Sequence, residues 1–235
     1  MPLPESSMIR RGRRNEAIYS ELRVRSPFFV RVDGRGFGRM LRDFSKPYDL
    51  GFARSIVSAA RAFMESSGLA PILAYTFSDE INLLFLDEPF RGRLEKLDSI
   101  TASYISSSLS ISLGRVVSMD ARVIPICREE ILSYLQESQA EAWRNHVFSY
   151  GFYALLGEGK SHADAMESLR NMKESDIHEM LFQRGVNLAK TPAWERRGVM
   201  VYRSGSGIVE EWELPLFTTD DGRIFVEEIL SAAEE

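Results

Sequence analysis

Three acidic residues stand where they can do chemistry. Asp33 closes the apolar run PFFVRVD (27–33), and Asp79 and Glu80 sit between two more apolar runs, ILAYTF (72–77) and INLLF (81–85). Carboxylates flanked by Phe, Ile and Leu on both sides lie close to an apolar interior, where charge is costly unless paired or bound to a cation. If the three runs are neighbouring strands, the acids converge on one edge. Crowded carboxylates are then relieved by a raised pKa or by a hard divalent ion such as magnesium. Two such ions about 3.5–4 Å apart form the clamp that stabilises the attacking and leaving oxygens of phosphoryl transfer. The segment DGRGFG (33–38) adds Gly34, Gly36 and Gly38, whose backbone N–H groups could cradle a triphosphate, although no Walker lysine accompanies them. Lys46, in KPYD (46–49), is a further candidate phosphate contact. Each motif has a plain alternative: a turn at Asp33-Gly34, a solvated hairpin tip at Asp79-Glu80, an ordinary surface lysine at Lys46. Their combination favours the metal site.

The elements that must position these residues follow from periodicity. Phe28, Val30 and Val32 alternate with Phe29, Arg31 and Asp33, which predicts a strand ending at the acid. Phe52, Ile56, Ala60, Phe63 and Met64 predict a helix over 50–66, with Gly68 as its stop. The runs at 72–77 and 81–85 predict a hairpin with Ser78-Asp79-Glu80 at its tip. A serine-rich helix over about 93–113, close-packed because its side chains are small, leads to a fourth strand, ARVIPI (121–126), and a long helix from about Glu129 to Leu156. This β-α-β-β-α-β order predicts an α+β chain with a ferredoxin-like core. By fold analogy, acids at these places belong to polymerase and cyclase palms. Farther on, Ser161 with Asp164 reads as a capping box, Ser175 as the cap of a helix ended by Gly185, and 198–203 with 208–214 as a closing hairpin.

Composition bounds the rest. The chain has 235 residues, 44% hydrophobic and 27% charged, enough for a substantial core. No stretch approaches the roughly 18 apolar residues of a membrane helix, and the N-terminus lacks an apolar signal core, so a cytoplasmic location away from membranes is expected. Cys127 is the single cysteine and reads as a small buried hydrophobe; His146, His162 and His178 are too scattered for a zinc-type cluster. The net charge of −5 argues mildly against a general nucleic-acid binder, but basic runs occur at Arg10, Arg11, Arg13 and Arg14 and at Arg91, Arg93 and Lys96.

RVDGRGFGRM (31–40), KPYD (46–49) and YTFSDEINLLF (75–85) resemble, in order and spacing, the signature stretches of the tRNA-His guanylyltransferase family. The likeness continues through FRGRLEK (90–96), MDARVIPI (119–126) and HEMLFQRGVN (178–187) to about Arg203. The resemblance implies a polymerase-like palm that works in the 3′-to-5′ direction. ATP adenylylates a 5′-monophosphate, and the 3′-hydroxyl of GTP or another nucleoside triphosphate then attacks it and expels AMP. It further implies that Asp33, Asp79 and the Gly34 carbonyl bind two magnesium ions, with Glu80 beside them as ligand or support. Asp33, Gly34, Arg35, Gly36, Phe37, Gly38, Ser78 and Asp79 match nucleotide-contacting positions, and Lys46, Arg93 and Lys96 match positive positions near the triphosphates. The expected partner is tRNA and the expected assembly a homodimer or homotetramer. Residues 1–135 would form the catalytic palm, and 136–235 a continuous helical and hairpin extension for tRNA contact and oligomerisation. Eukaryotic members carry a His-x-Asn-Asn-x-Tyr-Asn motif, of which Trp143 to Ser149 keeps only Asn145. The resemblance is therefore to the archaeal and bacterial guanylyltransferase-like proteins, which repair 5′-truncated tRNAs by templated addition. His146 is expected on a helix surface or in contact with a partner. Two rivals are a palm-type nucleotide cyclase or hydrolase that needs no RNA, and a non-catalytic RNA-binding relative.

Overall fold

The computed structural model describes residues 19–233. Four strands, β1 (Phe28–Gly34), β2 (Leu73–Phe77), β3 (Glu80–Phe85) and β4 (Met119–Pro125), precede β5 (Val199–Ser204) and β6 (Gly207–Glu211). All pair antiparallel in one six-stranded sheet ordered β4-β1-β3-β2-β5-β6. The helices are α1 (Phe37–Met40), α2 (Leu50–Ser66), α3 (Leu94–Leu113), α4 (Ile131–Gly157), α5 (His162–Arg170), α6 (Glu174–Gln183), α7 (Ala193–Arg197) and α8 (Asp220–Ala232). The first four strands with α2 and α3 reproduce the expected ferredoxin-like order. The closing hairpin extends this sheet at its β2 edge, and β6 ends at Glu211 rather than at residue 214.

Strand alternation divides the core. Phe28, Val30, Val32, Ile81, Leu83 and Phe85 point to the face covered by α2 and α3. Phe29, Leu73, Tyr75, Phe77 and Leu84 point to the other face, covered by the first half of α4 and by α8. Phe28, Phe29, Phe63, Phe85 and Phe217 are fully buried, each contributing about 1.5–3 kcal/mol relative to exposure. α4 has 27 residues, about 40 Å at 1.5 Å per residue, so it outruns the sheet. Its second half gathers α5, α6 and Leu188 into a separate apolar cluster around Val147 and Leu155.

Local chemistry sets the ends of these elements. Asp49 caps α2 by accepting the Phe52 N–H at 2.8 Å, and it also accepts the Ser45 N–H at 3.0 Å. These backbone donors hold its carboxyl below the ordinary value. The serines of α3 tie that helix to the strand that follows it. Ser110 Oγ accepts the Val117 N–H at 3.1 Å, and Ser106 Oγ accepts the Met119 N–H at 2.9 Å. Ser161 caps α5 as expected, accepting the Asp164 N–H. At α6 the cap is not Ser175, which lies inside the first turn. Instead Asp176 accepts the Lys173 N–H at 3.2 Å, because a carboxylate at that position reaches back to the free donor. Cys127 is exposed, not buried, since it follows the end of β4 and opens a helical turn closed by Glu130, which accepts its N–H at 2.9 Å. α8 is an element that the strand and helix periodicities above do not include. Its cap, Thr219 ahead of Asp220 and Asp221, was nevertheless written in the sequence.

Candidate nucleotidyl-transfer site

The register of β1 against β3 pairs Val32 with Ile81; continued two residues, it sets Gly34 opposite Asp79 and Asp33 opposite Glu80. The β2–β3 turn brings Asp79 across. Phe77 pairs with Glu80, leaving Ser78 and Asp79 as a two-residue tip. Ser78 takes the left-handed φ of 52°, which costs a non-glycine residue on the order of 1 kcal/mol. Its hydroxyl donates to Asp79 Oδ1 at 3.1 Å. Asp79 Oδ2 lies against Gly34 so closely that a Cβ there would be 2.3 Å away. Asp33 Oδ1 accepts the Gly34 N–H at 3.0 Å. The structure thus brings Asp33, Gly34 and Asp79 together.

The electrostatics suit a cation. Burial raises the Asp79 pKa first of all, and the negative charge of Asp33 raises it further. The nearest counter-charge to Asp33 is Arg122 Nη2, 3.9 Å away, which is half exposed and shared with Asp120 at 3.5 Å. Two carboxylates set around the backbone of Gly34 fit a hard, oxygen-seeking divalent ion.

Glu80 is placed differently. It is buried, accepts Asn82 Nδ2 at 2.8 Å, and faces Arg31 Nε at 3.7 Å. Asn82 Oδ1 in turn accepts the Tyr134 hydroxyl at 2.6 Å, and the Tyr134 ring stacks on Phe29 at 4.2 Å. Burial lifts the Glu80 pKa, with Asn82 and Arg31 opposing. These contacts tie the acid to α4. Among the described residues no three acid, His or Cys side chains come within ligand distance of one another.

A cleft of about 210 Å³ opens beside Ser78. Phe44, Tyr48, Phe52, Phe148 and Trp194 line it, with Thr76, Asn145 and Ser149 as polar points. Flat aromatic walls with a few fixed polar groups suit a nucleobase. Lys46 lines the cleft; its Nζ donates to Leu41 O at 2.6 Å and stands 5.6 Å above the Tyr153 ring. Gly36, with φ +74°, turns the chain into α1, and Gly38 is open to solvent-side approach, with nothing within 4 Å of a built Cβ. Phe37 is buried and packs near Phe52, so it supports the loop from below. Arg35 is exposed, and its N–H donates to Ser118 O at 2.9 Å. Arg93 pairs with Glu95 at the start of α3, Lys96 is exposed, and neither lines the cleft. The run Arg10 to Arg14 lies outside the described residues.

The cleft's far walls were invisible to motif reading, because Phe148 and Trp194 come from α4 and α7, far along the chain from Asp33 and Asp79. Behind Tyr48 lies His146, and here the expectation of a surface or partner-contact residue fails: its exposure is 0%. Its ring faces Tyr48, with Tyr150 and Trp143 of the same helix on its flanks, the ring centroids lying 5.5, 4.7 and 5.7 Å away. Thr191 Oγ1 is 3.1 Å from its Nε2. Burial, helped by Arg196, lowers the His146 pKa to about 4. The imidazole is therefore neutral at pH 7. A histidine that protonates more easily unfolded than folded adds stability above pH 6.5, and this is lost as pH falls from there to about 4. The loss is about 3 kcal/mol over that window. A urea-midpoint series between pH 7 and 4 is expected to show this fall in the parent protein and a flatter profile in His146→Phe. Parallel profiles would contradict the neutral buried assignment.

The description of the family that matches residues 11–136 reads tRNAHis guanylyltransferase. The tRNA(His) guanylyltransferase 1 of Arabidopsis thaliana is 27% identical over 189 residues, covering 74% of this chain and 33% of that protein. The chain thus spans about a third of the length of that relative. The uncharacterized protein R259 of Acanthamoeba polyphaga mimivirus is 25% identical over 229 residues, 81% of this chain and 75% of that one. Among solved structures, a bacterial tRNA(HIS) guanylyltransferase-like protein in complex with ATP superposes with a TM-score of 0.81 at 22% identity, covering 94% of this chain and 98% of that one. The tRNA(His) guanylyltransferase of Saccharomyces cerevisiae superposes with a TM-score of 0.70 at 21% identity, covering 80% and 91%. The likeness of these structures establishes the shared fold. The sequence match takes in more than half of the chain, which belongs to the tRNAHis guanylyltransferase (Thg1) family.

Proposed function

We propose that this protein is a nucleotidyltransferase that extends the 5′ end of tRNA in the 3′-to-5′ direction, by guanylylation of tRNA-His, by templated repair of shortened 5′ ends, or by both. The observation that carries the reading is the contact between the Asp79 carboxylate and the open face of Gly34, beside Asp33. Asp33, Asp79 and the Gly34 carbonyl would hold magnesium, two ions in all when nucleotide is bound. Bound there, the metal supplies charge neutralisation for the phosphates. The loop Asp33 to Gly38 would offer a triphosphate the Arg35 side chain and the N–H groups that follow it, since those of Gly34 and Arg35 are already engaged; Ser78 sits at its edge, and Lys46 adds a cation between loop and cleft. The aromatic cleft would receive the base of ATP or GTP; the bacterial guanylyltransferase-like protein was solved with each of these nucleotides. In the reaction an oxygen of the RNA 5′-phosphate displaces pyrophosphate from ATP, and the 3′-hydroxyl of the incoming nucleotide, losing its proton, displaces AMP. Glu80, fixed by Asn82 and Arg31, supports the β3 end electrostatically. Arg93 and Lys96 would meet phosphates only beyond the cleft.

In this reading residues 1–135 form the catalytic palm, and 136–235 the extension that contacts tRNA and joins subunits into a dimer or tetramer. No helix among the described residues is long and apolar enough to cross a membrane, and we place the work in the cytoplasm with the tRNA pool. The test is incubation with magnesium, ATP, labelled GTP and a tRNA lacking its first nucleotide. Label is expected at the RNA 5′ end. A cyclic or diphosphate product without RNA would favour a cyclase or hydrolase instead, and RNA binding without turnover would favour a non-catalytic relative.

A further inference from the structure

We propose that the open groove edged by Arg39 and Arg42, on the far side of Lys46 from the aromatic cleft, seats the phosphate backbone of the RNA strand whose end enters the Asp33–Asp79 site. The inference rests on the RNA-end reading above. The groove measures about 730 Å³, more than three times the cleft. Gly36 and Gly38 of the catalytic loop form one end of it, and Tyr153 on α4 and His162 at the start of α5 form the other.

This edge carries positive charge. Arg39 and Arg42 are exposed and make no ion pair among the described residues, whereas Arg61, Arg93 and Arg184 each hold a glutamate. Asp43 follows on the same turn, exposed as well, and forms no ion pair with either arginine among the described residues. Lys46 spans the boundary of cleft and groove, and His162 borders the groove with no ion pair among the described residues. The chain as a whole carries −5, so unpaired guanidinium groups gathered beside the catalytic loop run against its average charge. Long unpaired cations along an open groove fit a polyanion that passes through, held by phosphate contacts that carry no sequence information. A nucleoside triphosphate is the weaker fit. Its base has the aromatic cleft on the other side of Lys46, and a single triphosphate would fill little of the groove. Tyr153, with Lys46 over one face, gives the strand an edge to lie against.

The test is tRNA affinity by fluorescence anisotropy at several KCl concentrations, for the parent protein and for the Arg39→Gln, Arg42→Gln double variant. These side chains are exposed, and unchanged melting confirms the fold. The expected result is a drop in affinity of about tenfold at low salt, and a salt slope smaller by about 1–2 because fewer counterions are released. KM for GTP in the transfer assay should stay within about twofold. An unchanged slope and affinity, in a protein whose parent form still transfers nucleotide, would overturn this proposal alone. A raised KM for GTP with tRNA affinity intact would assign the groove to the triphosphate and also overturn it. A parent protein that neither binds RNA nor transfers nucleotide would remove the reading beneath it.

Discussion

Asp79→Asn is expected to lower kcat for nucleotide addition about 10²–10³-fold and, in the absence of magnesium, to melt at a higher temperature than the parent protein. The first effect follows from losing the charge that faces Asp33 across Gly34, since electrostatic groups of this kind each supply on the order of 10²–10³ in rate. The second follows from the raised pKa of Asp79, caused by burial and then by Asp33. A carboxyl that holds its proton more tightly folded than unfolded favours the fold at low pH. That contribution is lost as pH rises through the folded pKa. Near neutral pH the ionised, metal-free Asp79 therefore works against folding, and an amide of the same shape removes the penalty. Each 1 kcal/mol of such relief raises the melting temperature by about 2–4 °C in a chain of this size. Magnesium should raise the melting temperature of the parent and leave that of Asp79→Asn nearly unmoved. Equal magnesium shifts in both proteins would mean that Asp79 is not a ligand. Glu80→Gln makes the contrast in rate: its carboxylate is engaged by Asn82 and Arg31 rather than set across Gly34 from Asp33, so the expected rate loss is smaller.

How much of this could be read from sequence depends on the distance over which a signal acts. Strand alternation from Phe28 to Asp33 and helical spacing from Phe52 to Met64 are local patterns, and both elements lie where periodicity puts them. The tip Ser78-Asp79 is local too, and its meeting with Asp33 needed only the correct pairing of β1 with β3. Adjacency in sequence nevertheless misleads for Glu80. Asp79 occupies the turn, whereas Glu80 begins β3, so the pleat commits its side chain to the face that holds Arg31, Asn82 and Tyr134. His146 fails for a related reason: a polar residue on a long helix reads as surface until the partners of that helix are known, and here Tyr48 and Thr191 arrive from segments on either side of it. Trp194 and Phe148 carry no motif at all; only the folded chain sets them around one cleft. Cys127 shows the opposite error, a residue type that is usually buried placed at a turn where nothing covers it.

Gly34→Ala tests whether the close approach of Asp79 is the heart of the site. The backbone at Gly34 has no left-handed φ, so conformation alone would admit alanine; space does not. The added methyl would stand 2.3 Å from Asp79 Oδ2 and 2.5 Å from the Phe37 ring, where ordinary contact begins at about 3.5 Å. Something must move by about 1 Å. Phe37 is buried against Phe52, whose ring also lines the cleft, so its displacement disturbs both the loop and the base wall. The Asp79 carboxylate, which accepts the Ser78 hydroxyl at the tip of a turn, is the freer of the two and should swing away from Asp33. A displacement of that size costs about 10²-fold in rate when reacting groups are aligned by it, and overpacking of this kind costs about 1–3 kcal/mol in stability. If the two substitutions act through the same contact, Gly34→Ala combined with Asp79→Asn should be no slower than Asp79→Asn alone, since the carboxylate to be displaced is already gone. Rate losses that multiply in the double variant would instead place the importance of Gly34 in the loop's own N–H groups, and the paired-acid account of the site would lose its main support.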